Sequence, residues 1–332
     1  MLPQTQQILT WKLVVMGLLT YVPGARLGAK LVRNFSHRNT TKIARYAALY
    51  SYSIWLRHLV YAYQNGVRQT PRVVAELGPA YSLGIGLAAL LSGAEKYYAL
   101  DLAPYIENKI NIKTFNELIQ LFDKRAPIPH EDEFPDQTPL LDSYDFPHHI
   151  LTEARLEAGS SREKVAKIKD ELYALPGNAG SDEMICYVAP WNGSEVMREQ
   201  SVDMILSRVV MEHVDDLNAT YRALSQWLKP GGLLSQDVDF RSHGFAIEWN
   251  GHWAYSDFQW KLIRGKRPYL INREPCSTHI NYLKKYGLNI VCELRQMDKV
   301  DGIQRDSLSR RFHYMSPDDF TTQTAFFQCV KT

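Results

Sequence analysis

The apolar positions of this chain fall into short continuous runs that stop at turn residues and alternate with longer stretches of helical period. Val73–Leu77 is the first such run; it carries Glu76 near its end and stops at Gly78-Pro79, a strand followed by a turn. Leu83–Ser92 is a small-residue helix suited to packing on a sheet, and residues 96–101 form a second buried strand closed by Asp101. These elements make a β-α-β unit. Further strands are predicted at Met184–Val188, Ser201–Ser207, Gly232–Phe240, Leu288–Glu293 and Thr324–Val330. Helices are predicted at Arg162–Leu175, at Leu217–Leu228 behind Asp215-Asp216, and in a segment ending at Tyr282–Tyr286. Arg45–Tyr63 reads as a long helix apolar nearly all round, so other elements must cover most of it. Strands alternating with helices in this way predict an α/β fold.

In a β-α-β unit the first turn brings backbone close to a ligand, and a carboxylate on the second strand can hold a pair of ribose hydroxyls. A nucleotide-like cofactor is therefore expected. Gly84-Ile85-Gly86-Leu87-Ala88-Ala89 fits the dinucleotide pattern on paper, but it begins seven residues past the strand. There, inside the helix, small residues serve close packing rather than an anion cradle. The turn itself holds one glycine and then Pro79, which has no N–H to offer a phosphate. No Gly-x-x-x-x-Gly-Lys-Ser/Thr occurs either. An acidic residue ahead of a loop with few amides suits a ligand that carries an amine and no phosphate.

With these residues in place, the chain resembles the class I S-adenosylmethionine-dependent methyltransferases. Glu76-Leu77-Gly78 looks like the start of their first motif, and Asp101 matches the acid that holds the ribose. Ser201–Ser207 resembles their fourth strand, Met211-Glu212-His213-Val214 the Glu-His step after it, and Leu228–Leu234 the turn into the fifth strand. Ala80 and Ser82 stand where glycine is usual. The resemblance covers residues 72–101 and 184–240. It implies a Rossmann-like, seven-stranded, mainly parallel sheet with an antiparallel closing strand, and S-adenosyl-L-methionine as cofactor. It places that cofactor on Glu76, Gly78, Pro79, Ala80, Asp101, Leu102, Ala189, Pro190, Trp191, Ser207 and Arg208. Trp191 either stacks on the adenine or belongs to the core.

Charge divides the chain. Residues 1–75 hold ten Lys or Arg and no acid, which leaves 28 basic and 36 acidic side chains beyond them. The expected organisation is a basic helical extension over residues 1–70 and a methyltransferase domain over 71–332. An insertion at about 105–182 contains the Pro- and acid-rich connector Ala126–Pro135. It lies near the substrate or builds a contact in a homo-oligomer. The apolar stretch Leu13–Pro23 is too short to span a bilayer. With Arg26, Lys30, Arg33 and Arg38 beside it, residues 1–45 could meet an anionic membrane surface; the preferred reading is an extension packed over the cofactor. No small-residue cleavage site follows it, so a cytoplasmic protein is expected, with the inner membrane face as the alternative. Four cysteines without metal or redox spacing read as reduced thiols. No nucleic-acid-binding motif accompanies the charge, so nucleic acid is not an expected partner.

Methyl transfer from a sulfonium is an in-line displacement that mainly needs alignment, and an alcohol acceptor gains from a base that takes its proton. His213 is one candidate base. His243, oriented by Asp239 at the end of the fifth strand, is the preferred one; a Mg²⁺ or Mn²⁺ site at Asp237 and Asp239, which alternation puts on one face, is the less favoured reading. Trp249, Asn250, His252 and Trp253 form either an acceptor pocket or a small aromatic core. The expected acceptor is a sugar hydroxyl in a glycan or glycolipid. A lipid, quinone or secondary metabolite is the alternative within the class; an NAD-dependent oxidoreductase and a non-catalytic cofactor-binding protein are alternatives outside it.

Overall fold

Seven strands form one sheet: β1 (Val73–Leu77), β2 (Lys96–Leu100), β3 (Ile185–Val188), β4 (Val202–Arg208), β5 (Leu228–Asp239), β6 (Leu288–Met297) and β7 (Thr322–Lys331). Their order is β3-β2-β1-β4-β5-β7-β6. β1 to β5 pair in parallel, and β7 runs antiparallel between β5 and β6. The expected Rossmann-like seven-stranded sheet is present. The computed structural model describes residues 4–22, 46–133, 138–175, 183–191, 193–268 and 270–332, so Arg26, Lys30, Arg33 and Arg38 lie outside the described residues.

Alternation along the central strands sends side chains into two separate cores. Val74, Met204, Leu206 and Leu233 face one layer, built from α2 (residues 46–64), α3 (Gly84–Leu91), α4 (Asn108–Asp123), α5 (Glu153–Gly159) and α6 (Arg162–Ala174). Ala75, Leu77, Ile205 and Leu234 face the other, with α7 (Leu217–Trp227) and α9 (Cys276–Lys285). Every residue of α3 is buried. A Cβ on Gly84 would lie 2.1 Å from Ser51 Oγ, and one on Gly86 would lie 2.0 Å from the Tyr97 ring. The glycines of the dinucleotide-like string therefore let α2 and β2 approach α3.

The apolar helix read at Arg45–Tyr63 is α2, and it is buried as its composition requires. Trp55 Nε1 donates to Ser92 Oγ at 2.7 Å, and His58 Nδ1 lies 2.6 Å from Ser235 Oγ on β5. Arg57 is wholly buried and donates to the Pro139 and Pro129 carbonyls, so one guanidinium pins the connector to α2. α1 (Gln4–Leu19) packs on α8 (Asp257–Arg264). Gln6 Nε2 donates to Tyr255 OH at 2.6 Å, and Gly17 lies so close that a Cβ would meet Leu262 O at 1.9 Å. Among the described residues nothing covers the outer face of α1: Ile8, Trp11, Val15, Leu18 and Leu19 are 48–71 % exposed. Among the described residues no helix is long and apolar enough to cross a membrane.

Two strands extend four residues beyond their sequence-based bounds. β5 begins at Leu228 because that residue pairs with Val202 ahead of a bulge. β6 continues to Met297 because β7 offers it a ladder as far as Thr322.

Candidate functional site

The turn after β1 is built on a left-handed step at Gly78 (φ 69°) and another at Ala80 (φ 54°). A Cβ on Gly78 would lie 2.6 Å from a methyl of Val210, so the loop after β4 presses directly on this turn. Asp101, nearly buried at the end of β2, locks the turn from the other side. One of its oxygens accepts from Ala80 N at 2.9 Å and the other from Leu102 N at 2.7 Å. The Ala103 amide also acts on the carboxylate, which leaves it one of its roughly four acceptor sites for a further donor. Burial raises the Asp101 pKa, while those amides favour its charge.

Glu76, two residues before Gly78, is buried and accepts from Tyr97 OH at 2.5 Å. Burial pushes its pKa up to about 7, against the pull of the Tyr97 hydroxyl and the Gly86 amide. Glu76, Gly78, Pro79, Ala80 and Ser82 line a cavity of about 550 Å³, with Tyr46 and Tyr50 of α2 across it and Arg208 and Val209 at its wall. A second cavity of about 530 Å³ is lined by Leu102 and Trp191 together with Val214 and the start of α7. Trp191 is partly buried and meets Trp227 edge-on at 5.7 Å, while its amide donates to Asp101 O at 2.9 Å. Ala189 and Pro190 join it to β3 through a cis peptide.

On β4, Ser207 is fully buried with no partner for its Oγ. Arg208 is held by Asp237 Oδ2 on β5 at 2.6 Å and by Tyr50 OH at 2.6 Å. Burial raises Asp237 to about 6 even though Arg208 pulls it down. Val209 then adopts φ 54°, a strained conformation for a β-branched residue, with its amide on Asp237 O at 3.0 Å.

The expected bases do converge. His213 and His243 meet edge-on with ring centroids 5.1 Å apart. His243 Nε2 lies 3.6 Å from Asp239 Oδ2 and 3.9 Å from Glu212 Oε1. Asp239 is more firmly engaged by Arg241, whose Nη2 lies 2.7 Å away. Glu212 is buried with neither carboxylate oxygen partnered, and burial raises its pKa well above the usual range.

The acceptor-pocket residues lie mostly inward. Trp253 and His252 are 0 % and 1 % exposed, so neither offers a ring face to solvent. Trp253 Nε1 donates to Arg273 O at 3.0 Å, and Asn250 Oδ1 accepts from Ile303 N at 2.8 Å. Trp249 is partly buried and donates to Asp301 O at 2.9 Å. Together they stitch three loops into an aromatic core. Sequence reasoning missed Tyr97 and Tyr50. Tyr97 was legible as a strand residue facing the same layer as Glu76; nothing in an all-apolar α2 marks which turn of it reaches the site.

A methyltransferase-domain family model matches residues 84–293. No curated protein sequence matches the chain. Among solved structures the chain is similar to an S-adenosylmethionine-dependent methyltransferase from Mesorhizobium loti, at 14 % identity over 80 % of this chain and 92 % of that one, with a TM-score of 0.37. It is also similar to one from Methanosarcina mazei, at 11 % identity over 79 % and 93 %, TM-score 0.41. A third is Haemonchus contortus phosphoethanolamine N-methyltransferase 2 in complex with S-adenosyl-L-methionine, at 12 % identity over 85 % and 56 %, TM-score 0.40.

The residues present fit S-adenosyl-L-methionine. The turn locked by Asp101 has spare acceptor capacity beside it, as ribose hydroxyls require, and Glu76 offers a carboxylate to an ammonium. Sheet order, family match and turn chemistry agree: this chain belongs to the class I S-adenosylmethionine-dependent methyltransferases, and it is an enzyme that uses S-adenosyl-L-methionine.

Proposed function

We propose that this enzyme methylates a hydroxyl group, and that the hydroxyl belongs to a sugar in a glycan or glycolipid. The observation that carries the hydroxyl is the convergence of His213, His243, Glu212 and Asp239 just past the ends of β4 and β5. An amine acceptor needs only a free lone pair, whereas an alcohol has a proton to lose as the new bond forms. Bound S-adenosyl-L-methionine supplies the methyl group on a sulfonium, which leaves as a neutral thioether. Asp101 would hold the ribose, Glu76 the ammonium, and Leu102 with Trp191 the adenine. Tyr46 and Tyr50 of α2 would roof the reacting end and exclude water, which gives the extension over residues 1–70 its role. His243 would accept the hydroxyl proton, steadied by Asp239, with His213 at its edge.

A lipid, quinone or secondary metabolite is the second reading of the acceptor. The bare apolar face of α1 favours a membrane-borne molecule, whether glycolipid or lipid, reached from the cytoplasmic side. Purified enzyme with labelled cofactor and a cellular glycan and glycolipid extract tests the proposal. Label in an alkali-stable methyl ether on a sugar is expected; label only in amines would overturn it.

A further inference from the structure

We infer that Glu212, His213 and His243 bind a divalent transition-metal ion. The inference rests on the hydroxyl acceptor proposed above and replaces the imidazole base at that site with a metal ion. One ligand atom from each of the three side chains lies within 4.8 Å of the others. Glu212 Oε1 and His243 Nε2 are 3.9 Å apart, close to the roughly 3–4 Å that separates two ligands around one ion with bonds near 2.1 Å. Two imidazoles and one carboxylate are a donor set that suits zinc, manganese or iron, and it leaves coordination positions open.

The second observation is independent of that spacing. Glu212 is 3 % exposed, and both of its carboxylate oxygens lack any hydrogen-bond partner. A buried carboxylate in that condition is costly unless a proton or a cation compensates it. Its neighbours add negative charge: Asp239 and Asp237 both act on it, and Arg208 and Arg241 are already engaged by those two aspartates. The orphaned oxygens, the imidazoles and the open side of the His243 loop share one locus. His243 is held there in a left-handed conformation (φ 49°), and its side chain is 23 % exposed, so an ion has an entry path.

The site sits where an acceptor would arrive. Val210, which presses on Gly78, is followed directly by the Met211–His213 turn. An ion held there would coordinate the acceptor hydroxyl and make it more acidic, so its proton could leave to water. The oxygen would then form its bond to the methyl carbon as the carbon–sulfur bond breaks and the electron pair goes to sulfur. His213 and His243 act as ligands in this account, and no imidazole needs to take the proton.

The test is calorimetric titration of chelator-stripped full-length protein with Zn²⁺, Mn²⁺ and Mg²⁺ alone, followed by elemental analysis. One equivalent of Zn²⁺ or Mn²⁺ is expected, bound more tightly than Mg²⁺. Loss of a ligand in Glu212→Gln or His243→Ala should weaken binding on the order of 100-fold, while His148→Ala, at an exposed histidine that faces Glu153 and not this cluster, should not. Retained S-adenosylhomocysteine binding shows that each variant is folded. Absence of stoichiometric binding, or equal affinity in Glu212→Gln, overturns the inference; if methyl ethers still form in excess chelator, the hydroxyl reading stands without the metal. Tight metal binding with label only in amines would instead retain the site and overturn the acceptor.

Discussion

The Tyr97 hydroxyl donates to Glu76 Oε2 at 2.5 Å in the interior of the sheet, directly behind the cofactor turn. This one contact joins the first strand's acid to the second strand and tunes its charge. Burial holds the Glu76 pKa up at about 7, and the Tyr97 hydrogen bond works against that rise.

A pH dependence of cofactor binding follows. Glu76 can pair with an ammonium only when ionised, so affinity for S-adenosyl-L-methionine should rise as pH increases through about 7 and then level off. Binding should release a proton below that pH, which calorimetry in buffers of different ionisation enthalpy detects. Tyr97→Phe removes the donor that favours the charged form, so its midpoint should move to higher pH. Glu76→Gln should bind weakly with no such dependence; an unchanged pH profile in that variant would remove Glu76 from the ammonium site.

Close packing at α3 gives a stability prediction. Gly86→Ala places a methyl 2.0 Å from the Tyr97 ring, which is rigid and itself held by Glu76. A loss of about 1–3 kcal/mol is expected by urea denaturation. Gly231→Cys would face open space instead, and its cost should come only from the φ of 79°. Equal losses at the two positions would show that the α3 contact is not tight.

The Arg208–Asp237 pair is nearly dry, with side chains 14 % and 6 % exposed. Asp237→Asn leaves the guanidinium without its counter-charge, which should cost about 3 kcal/mol. Arg208→Met combined with Asp237→Asn should lose less than the two single changes added together, because the penalty lies in the stranded charge. Strict additivity would contradict the pairing.

The exposed face of α1 leads to a vesicle measurement. Ile8, Trp11 and Val15 are spaced as one helical stripe, all more than half exposed, and the first 75 residues carry no acid. The full chain should float with anionic liposomes and much less with neutral ones, and Trp11→Ser with Ile8→Ser should reduce flotation. Flotation unchanged by both substitutions would place the contact elsewhere.

Much of this site was legible in the sequence because local chemistry dictates it. Glu76-Leu77-Gly78 and Asp101 are positioned by strand ends and a turn that only a few residues can make, so the strand–turn pattern pointed to them and the family resemblance assigned them to the cofactor. The closing strands were legible for the same reason. The interior orientation of Trp253 and His252 was not, because an aromatic cluster after a strand has the same sequence pattern whether it lines a pocket or fills a core. The contact between Tyr50 and Arg208 was also hidden: it depends on how α2 lies across the sheet, a long-range arrangement that no local pattern encodes. Convergence of His213 with His243 was foreseeable from the ends of adjacent parallel strands, but the orphaned Glu212 between them required coordinates.

The most direct test of the whole account is calorimetric binding of S-adenosylhomocysteine to the wild-type chain and to Asp101→Ala. Stoichiometric binding by the wild type is expected, about 10–100-fold weaker in the variant if Asp101 holds the ribose as proposed, because a charged hydrogen bond is then lost, with no binding of NAD(H) to either. Equal affinity in wild type and variant, or NAD(H) binding in place of S-adenosylhomocysteine, would contradict it.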